Sequence, residues 1–192
     1  MPFIAKSTMG ETVNAGIEKS ALSVAAAGVG GVYHVQCFDT DGNLKWEDEF
    51  HNLVVNEGLQ DMNNKYFKGV TYSAAWYLGL VEGPGSGNTY AAGNTLATHA
   101  GWTEFTNYTG TRKAVTFGTP TSANPSVIDN SASPSSFVIS GAGGTVAGAL
   151  LASVTSGTSG ILFSVGNFTG GDKIVASGDT INVTYTFSAT AV

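Results

Sequence analysis

The 192-residue chain contains few charged residues: Asp, Glu, Lys and Arg make up 11% of it. An average globular domain contains about 25%. The formal net charge is −6, so the sequence lacks the clustered Lys and Arg with which proteins bind a phosphate backbone. We therefore expect no nucleic-acid partner.

The chain also lacks a second cysteine. Cys37 alone can form no intrachain disulfide and can build no thiolate zinc site. Because it lies in an apolar, strand-like run, we expect it to be a small buried side chain.

Long apolar runs are absent as well, since none approaches the roughly 18–20 residues that span a bilayer. Residues 6–19 carry Lys6, Glu11, Glu18 and Lys19 and no apolar block, which is unlike a secretory signal. We expect a protein that is made and used without secretion and that has no membrane partner. Proline is scarce, at five residues, while 42% of the chain is hydrophobic, and this composition argues against disorder.

What the chain does contain is a set of short strand-like runs between turns. The clearest is at the C-terminus, where apolar residues occupy every second position from Ile181 to Phe187 and Thr or Asn occupies the others. That period of two predicts a strand with one buried face. Several such runs separated by Gly-rich turns indicate an all-β antiparallel sandwich, which we expect to be jelly-roll-like. Further strands are predicted over residues 32–38, 43–50, 75–81, 113–117, 136–140, 145–153 and 160–165.

A hairpin and one helix are predicted in the first half. Asp39-Thr40-Asp41-Gly42 between β-prone runs is a strong hairpin signal. A helix is expected near residues 57–68, capped by Asn56 and ended by Gly69. Its packing stripe is predicted from positions i, i+3, i+7 and i+8, which are Leu59, Met62, Tyr66 and Phe67. Trp46 and Trp76 are expected to be buried.

Residues 1–30 are predicted to form an extended N-terminal arm, and residues 31–192 the sandwich domain. The arm shows neither strand alternation nor a helical stripe. It is either a disordered terminus or an extended arm that is ordered by lying on a neighbouring subunit or a capsid shell. If the arm lies on a neighbour, its large apolar side chains form the subunit or capsid interface. These side chains are Phe3, Ile4, Val13, Ile17 and Leu22.

Catalytic and metal sites are weakly supported. His34 and His51 lie on predicted strands and His99 in a polar loop, without a nucleophile motif beside them. Asp39 to Asn43 resembles a calcium loop, but its Gly stands at position four rather than six. Glu47 and Glu49 are expected on one strand face and Asp48 on the other, too divergent for a carboxylate pair. We expect no enzyme, no cofactor and no metal.

The stretch LKWEDEFHNLVVNEGLQDMNNKYFKG, residues 44–69, resembles a group of tailed-bacteriophage virion proteins that have a Trp-Glu-Asp strand, an Asn-Leu-Val turn and a short helix. The similarity continues through a strand like AWYLGLV at residues 75–81 and a Tyr- and Arg-bearing loop at residues 107–112. It ends in Gly/Thr-rich strands with a Gly-Asp-Thr-hydrophobic pattern at residues 178–183. It covers roughly residues 32–192 and excludes the arm.

The resemblance implies a virion structural protein without assigned site residues. Our first expectation is a non-enzymatic capsid decoration (cement) protein on the capsid surface, made in the host cytoplasm. Its partners are then the major capsid protein and copies of itself, as a homotrimer. One alternative is a tail, baseplate or fibre-associated virion protein. Another is a carbohydrate-binding module or small hydrolase on the phage surface, in which exposed Trp102, Phe105 and Tyr108 stack on a sugar ring; filling the end of the sandwich is the simpler role for these side chains.

Overall fold

The computed structural model describes residues 28–72 and 75–191. This part of the chain is 43% strand and 9% helical, which confirms the all-β class. The helix is α1 (Asn56–Phe67), and a short 3₁₀ turn covers Gly85–Gly87. The strands are β1 (Gly28–Phe38), β2 (Leu44–His51), β3 (Leu53–Val54), β4 (Tyr77–Glu82), β5 (Glu104–Phe105), β6 (Lys113–Ala114), β7 (Ser126–Asp129), β8 (Ser135–Val138), β9 (Gly144–Ala152), β10 (Leu162–Asn167), β11 (Lys173–Val175) and β12 (Thr180–Thr190).

The first sheet is built around the two longest strands, β1 and β12. Its order is β2-β1-β12-β7, and β8 also pairs with β12. β1 and β12 pair antiparallel along their full length, from Gly28 opposite Thr190 to Phe38 opposite Thr180. β1 and β2 form the predicted hairpin, in which Gly42 takes a φ of 83° that favours glycine.

The second sheet is centred on β9. Its order is β3-β10-β9-β4-β5, with β11 also paired to β9 and β6 to β4. Every pairing in both sheets is antiparallel.

The main core lies between the two sheets. Ile181, Val183 and Tyr185 of β12 are fully buried there, as their alternation predicts, while Phe187 is half-buried and packs against the same core. The second sheet contributes Leu80 and Leu151. Two antiparallel sheets over one core confirm the sandwich, whereas jelly-roll connectivity stays a prediction.

The second sheet is buried on its outer face too. Leu150 of β9 points away from the main core and packs with Leu96 and Trp102, which belong to the long connection between β4 and β5. Most of β9 is therefore buried on both faces, and this explains why its sequence is a continuous apolar run rather than an alternating one.

Helix α1 begins and ends one residue earlier than predicted, and it packs through a different face. Its buried residues are Gly58 and Asp61. Leu59, Tyr66 and Phe67 are 37%, 84% and 77% exposed, so the predicted packing stripe is wrong except for Met62, which packs against the core. At 3.6 residues per turn, the four predicted stripe residues lie roughly a third of a turn around the helix axis from Gly58 and Asp61.

The predicted cap at the start of the helix is also wrong, while the predicted glycine after its end is confirmed. Asn56 is the first helical residue, and Val55 precedes it without a side-chain cap. The carboxylate of Glu57 instead accepts a hydrogen bond from the backbone N–H of Leu162 at 2.9 Å. Gly69 follows the helix with a φ of 64°, as a glycine after a helix end commonly does.

Other sequence expectations need smaller corrections. Trp46 and Trp76 pack against the core but are only half-buried. β1 begins at Gly28, so the sheet includes three residues that were assigned to the arm. The interface residues proposed in the arm lie outside the described residues. No helix in the part of the chain that the structure describes is long and apolar enough to cross a membrane.

Candidate functional site: an apolar surface beside helix α1

The C-terminal end of α1 and the residues after it present large apolar side chains to solvent. Tyr66, Phe67, Val70 and Tyr72 are 84%, 77%, 48% and 55% exposed. We call these four residues the α1 patch. Tyr66 and Phe67 contact each other edge to face, with ring centroids 4.9 Å apart. Single exposed apolar residues are ordinary, but a contiguous group typically marks an interaction site.

Beside the α1 patch, an apolar groove of about 410 Å³ opens between α1 and the end of the sandwich. Both sheets contribute to it: Phe187 comes from β12, Ile128 from β7 and Phe163 from β10. Its other lining residues are Asp61, Met62, Asn63, Lys65, Tyr66, Phe67, Tyr72, Trp76, Phe117, Leu151 and Tyr185.

The groove exists because α1 approaches the second sheet through Gly58 rather than through its large side chains. A Cβ on Gly58 would lie 2.6 Å from the carbonyl oxygen of Phe163, so the first turn of the helix lies against β10. The later turns leave Tyr66 and Phe67 outside. The aromatic rings of the groove contact one another, with Phe163 centroids 5.3 Å from Trp76 and 5.7 Å from Phe187.

The polar groups at the rim of the groove already have partners. Lys65 Nζ lies 3.8 Å from Asp61 Oδ1 and donates to the carbonyl of Thr71 at 2.8 Å. Trp76 Nε1 donates to the hydroxyl of Tyr72 at 3.1 Å. These contacts tie the residues after α1 back to the helix and leave an apolar surface for a ligand.

A buried polar cluster lies behind the groove. Tyr33 Oη is 2.8 Å from Ser164 Oγ, and Asn52 Nδ2 donates to Tyr185 Oη at 3.0 Å. Burial raises the pKa of Tyr185 to about 12 and that of Tyr33 well above its usual range. Both phenols therefore stay protonated at neutral pH and act as structural hydrogen-bonding groups.

The three histidines are not brought together. His34 Nε2 lies 3.7 Å from Glu47 on the outer face of the first sheet, and His51 is exposed at the end of β2. His99 is half-buried rather than free in solvent, because its ring stacks on Trp102 at 4.0 Å. The described residues contain no group of three His, Cys, Asp or Glu side chains placed to hold a metal ion.

The acidic residues near the hairpin have structural partners. Asp39 Oδ1 accepts the backbone N–H groups of Asp41 and Asn43 at 2.9 and 2.8 Å, so a plain hairpin turn explains the calcium-like sequence. Glu47 and Glu49 share the exposed face of β2, and Asp48 is buried on the other, as predicted. Asp48 accepts the N–H groups of Thr169 and Gly170.

The aromatic residues considered for sugar stacking are core residues. Trp102, Phe105 and Tyr108 are 4%, 1% and 6% exposed. Their ring faces are covered, so the expected exposure of these rings is wrong. Phe105 and Tyr108 lie in the main core, as the alternative interpretation predicted, while Trp102 packs on the outer face of the second sheet.

Sequence reasoning missed the α1 patch because it assigned Tyr66 and Phe67 to a buried stripe. A usable signal was present. Asp61 and Lys65 have the i, i+4 spacing of a helical ion pair, and they lie on the same helical face as Gly58. The other groove residues, Trp76, Phe163 and Phe187, are too far apart in sequence for any local pattern to join them. Comparison of the chain with models of protein families, with curated proteins and with solved structures finds no match.

Proposed function

We propose that this chain is a non-enzymatic structural protein of a bacteriophage virion, a capsid decoration protein that stabilises the head by binding major capsid subunits. The observation that carries the proposal is the α1 patch with its groove. Apolar area of this kind is stabilised by contact with another protein, at roughly 25 cal/mol per Å² removed from water.

The surface chemistry of the sandwich supports a binding role on a crowded shell. The outer positions of β12, such as Thr184 and Thr186, are half-exposed hydroxyl side chains, and the whole chain has only 11% charged residues. Such a surface brings few like charges against a neighbouring subunit. The virion setting comes from the resemblance of residues 32–192 to phage virion proteins.

The test is to locate the chain in a particle. Phage particles made without this protein are mixed with the purified chain, sedimented, and imaged by electron cryomicroscopy. We expect the chain to sediment with the heads, to add density on the outer capsid surface, and to raise the temperature at which the heads release DNA. Density at the tail or baseplate, or failure to sediment with any particle, would contradict the proposal.

A further inference from the structure

We propose that the groove beside α1 binds the N-terminal segment, residues 1–27, of a second copy of this chain, with Phe3 and Ile4 as its anchors. The inference rests on the proposed function, in which copies lie side by side on a shell. It specifies which segment occupies the groove.

The groove selects an apolar occupant. Leu151, Phe163 and Phe187 are among its lining residues, and the rim groups Lys65 and Trp76 already have hydrogen-bond partners. A charged or polar group that entered the apolar part of the groove would lose water without finding a free partner in Lys65 or Trp76. Large apolar side chains on a single peptide segment would remove the most apolar surface from water by entering the groove.

The N-terminal segment supplies such side chains, and it does so without net charge. Phe3 and Ile4 are adjacent in it, and its two lysines are balanced by two glutamates. The net charge of −6 therefore belongs entirely to residues 28–192. A segment without net charge can lie on such an acidic body without electrostatic repulsion.

The length and position of the segment fit a neighbouring copy. It joins β1 at Gly28, opposite Thr190, which is three residues, or roughly 10 Å, beyond Phe187 along β12. The 23 residues between Ile4 and Gly28 have a root-mean-square reach of about 25–30 Å even without regular structure. A domain of this size has a radius of gyration near 15 Å. The segment is thus long enough to reach the groove of a touching neighbour as well as that of its own molecule, and copies that lie side by side place the neighbour's groove within this reach.

The test uses the full-length chain with a photoreactive benzoylphenylalanine in place of Phe3. Equal amounts of ¹⁴N- and ¹⁵N-labelled protein are mixed and irradiated, and the crosslinked peptides are identified by mass spectrometry. We expect crosslinks from residues 1–6 to peptides that contain Tyr72, Trp76 or Phe187, and we expect pairs in which the two peptides carry different isotopes.

Two variants of exposed residues complete the test. Phe67→Glu puts a charge at the rim of the groove and should lower the yield of these crosslinks about tenfold or more. Ile174→Glu is the matched control, because Ile174 is 79% exposed on β11, which pairs with the opposite end of β9 from Leu151. It should leave the yield unchanged. Circular dichroism verifies that both variants are folded.

Three results would overturn the inference: crosslinks with matching isotopes only, crosslinks outside the groove, or a yield that Phe67→Glu does not lower. Sedimentation with phage particles is measured separately on the unmodified chain. If the chain binds heads but its crosslinks fail these criteria, the groove inference is wrong and the proposed function stands. If the crosslinks appear but the chain binds no particle, the inference stands as self-association and the virion role is wrong.

Discussion

At the scale of single residues, the only thiol of the chain reports on the integrity of β1. Cys37 is fully buried between the sheets, and burial, with a contribution from the nearby Asp179 carboxylate, raises its pKa to about 11. Since the thiolate is the reactive form, we expect iodoacetamide at about pH 8 to leave the folded protein unmodified and to alkylate it in urea. Intact-mass spectrometry checks this. Alkylation of the native protein at the rate of the unfolded one would show that β1 opens.

The buried phenols predict a stability that falls at alkaline pH. Unfolded tyrosines lose their protons near pH 10, whereas Tyr185 holds its proton until about pH 12 in the folded chain. Because the folded-state pKa is raised, its contribution to the free energy of unfolding is complete below about pH 10 and is lost as the pH rises towards 12. Urea midpoints measured between these values should fall steadily. Tyr185→Phe should flatten the fall, and midpoints that stay constant up to pH 12 would contradict the assignment.

At the scale of elements, the packing of α1 depends on a glycine. Ala has about 1 kcal/mol better helix propensity than Gly, yet Gly58→Ala should destabilise the protein. Its Cβ would meet backbone atoms of Phe163 at 2.6 and 3.0 Å, and overpacking typically costs about 1–3 kcal/mol. Asn63→Ala, at an exposed position of the same helix, should be neutral or slightly stabilising. Urea unfolding measures both. A more stable Gly58→Ala variant would show that α1 is free to move away from β10.

The same elements show what the sequence could predict. The alternation in β12 determined its buried face correctly, because a period of two leaves one choice of face. The stripe in α1 did not, since Gly58 is the residue that lies against β10 and the rings of Tyr66 and Phe67 remain exposed. β3 and β5 have two residues each, too few for a periodic signal, and β6 covers only the first two residues of the strand predicted at residues 113–117. No local sequence pattern could predict the groove, because the two sheets and the helix that form it come together only in the folded structure.

At the scale of the whole molecule, net charge is distributed unevenly along the chain. Residues 28–191 supply two sheets whose cores contain fully buried side chains such as Tyr33, Leu80 and Val165, and these residues carry all of the net charge. The N-terminal residues add large apolar side chains without net charge. In the groove inference proposed above, residues 28–191 would supply the folded body and the N-terminal residues the contact between copies.

This division predicts the effect of removing residues 2–27. We expect the truncated chain to keep its melting temperature nearly unchanged, because β1 begins at Gly28 and the described residues already form two sheets over a buried core. Binding to phage particles should weaken by several kcal/mol, since each large apolar side chain that loses its contact costs about 1.5–3 kcal/mol. Calorimetry and particle sedimentation measure the two effects.

The full-length double variant Phe3→Ser/Ile4→Ser is the matched control for chain length and should reproduce most of the loss. A truncated chain that binds as tightly as the full one would make the segment a passive tail, and one that fails to fold would place the segment in the core of its own subunit.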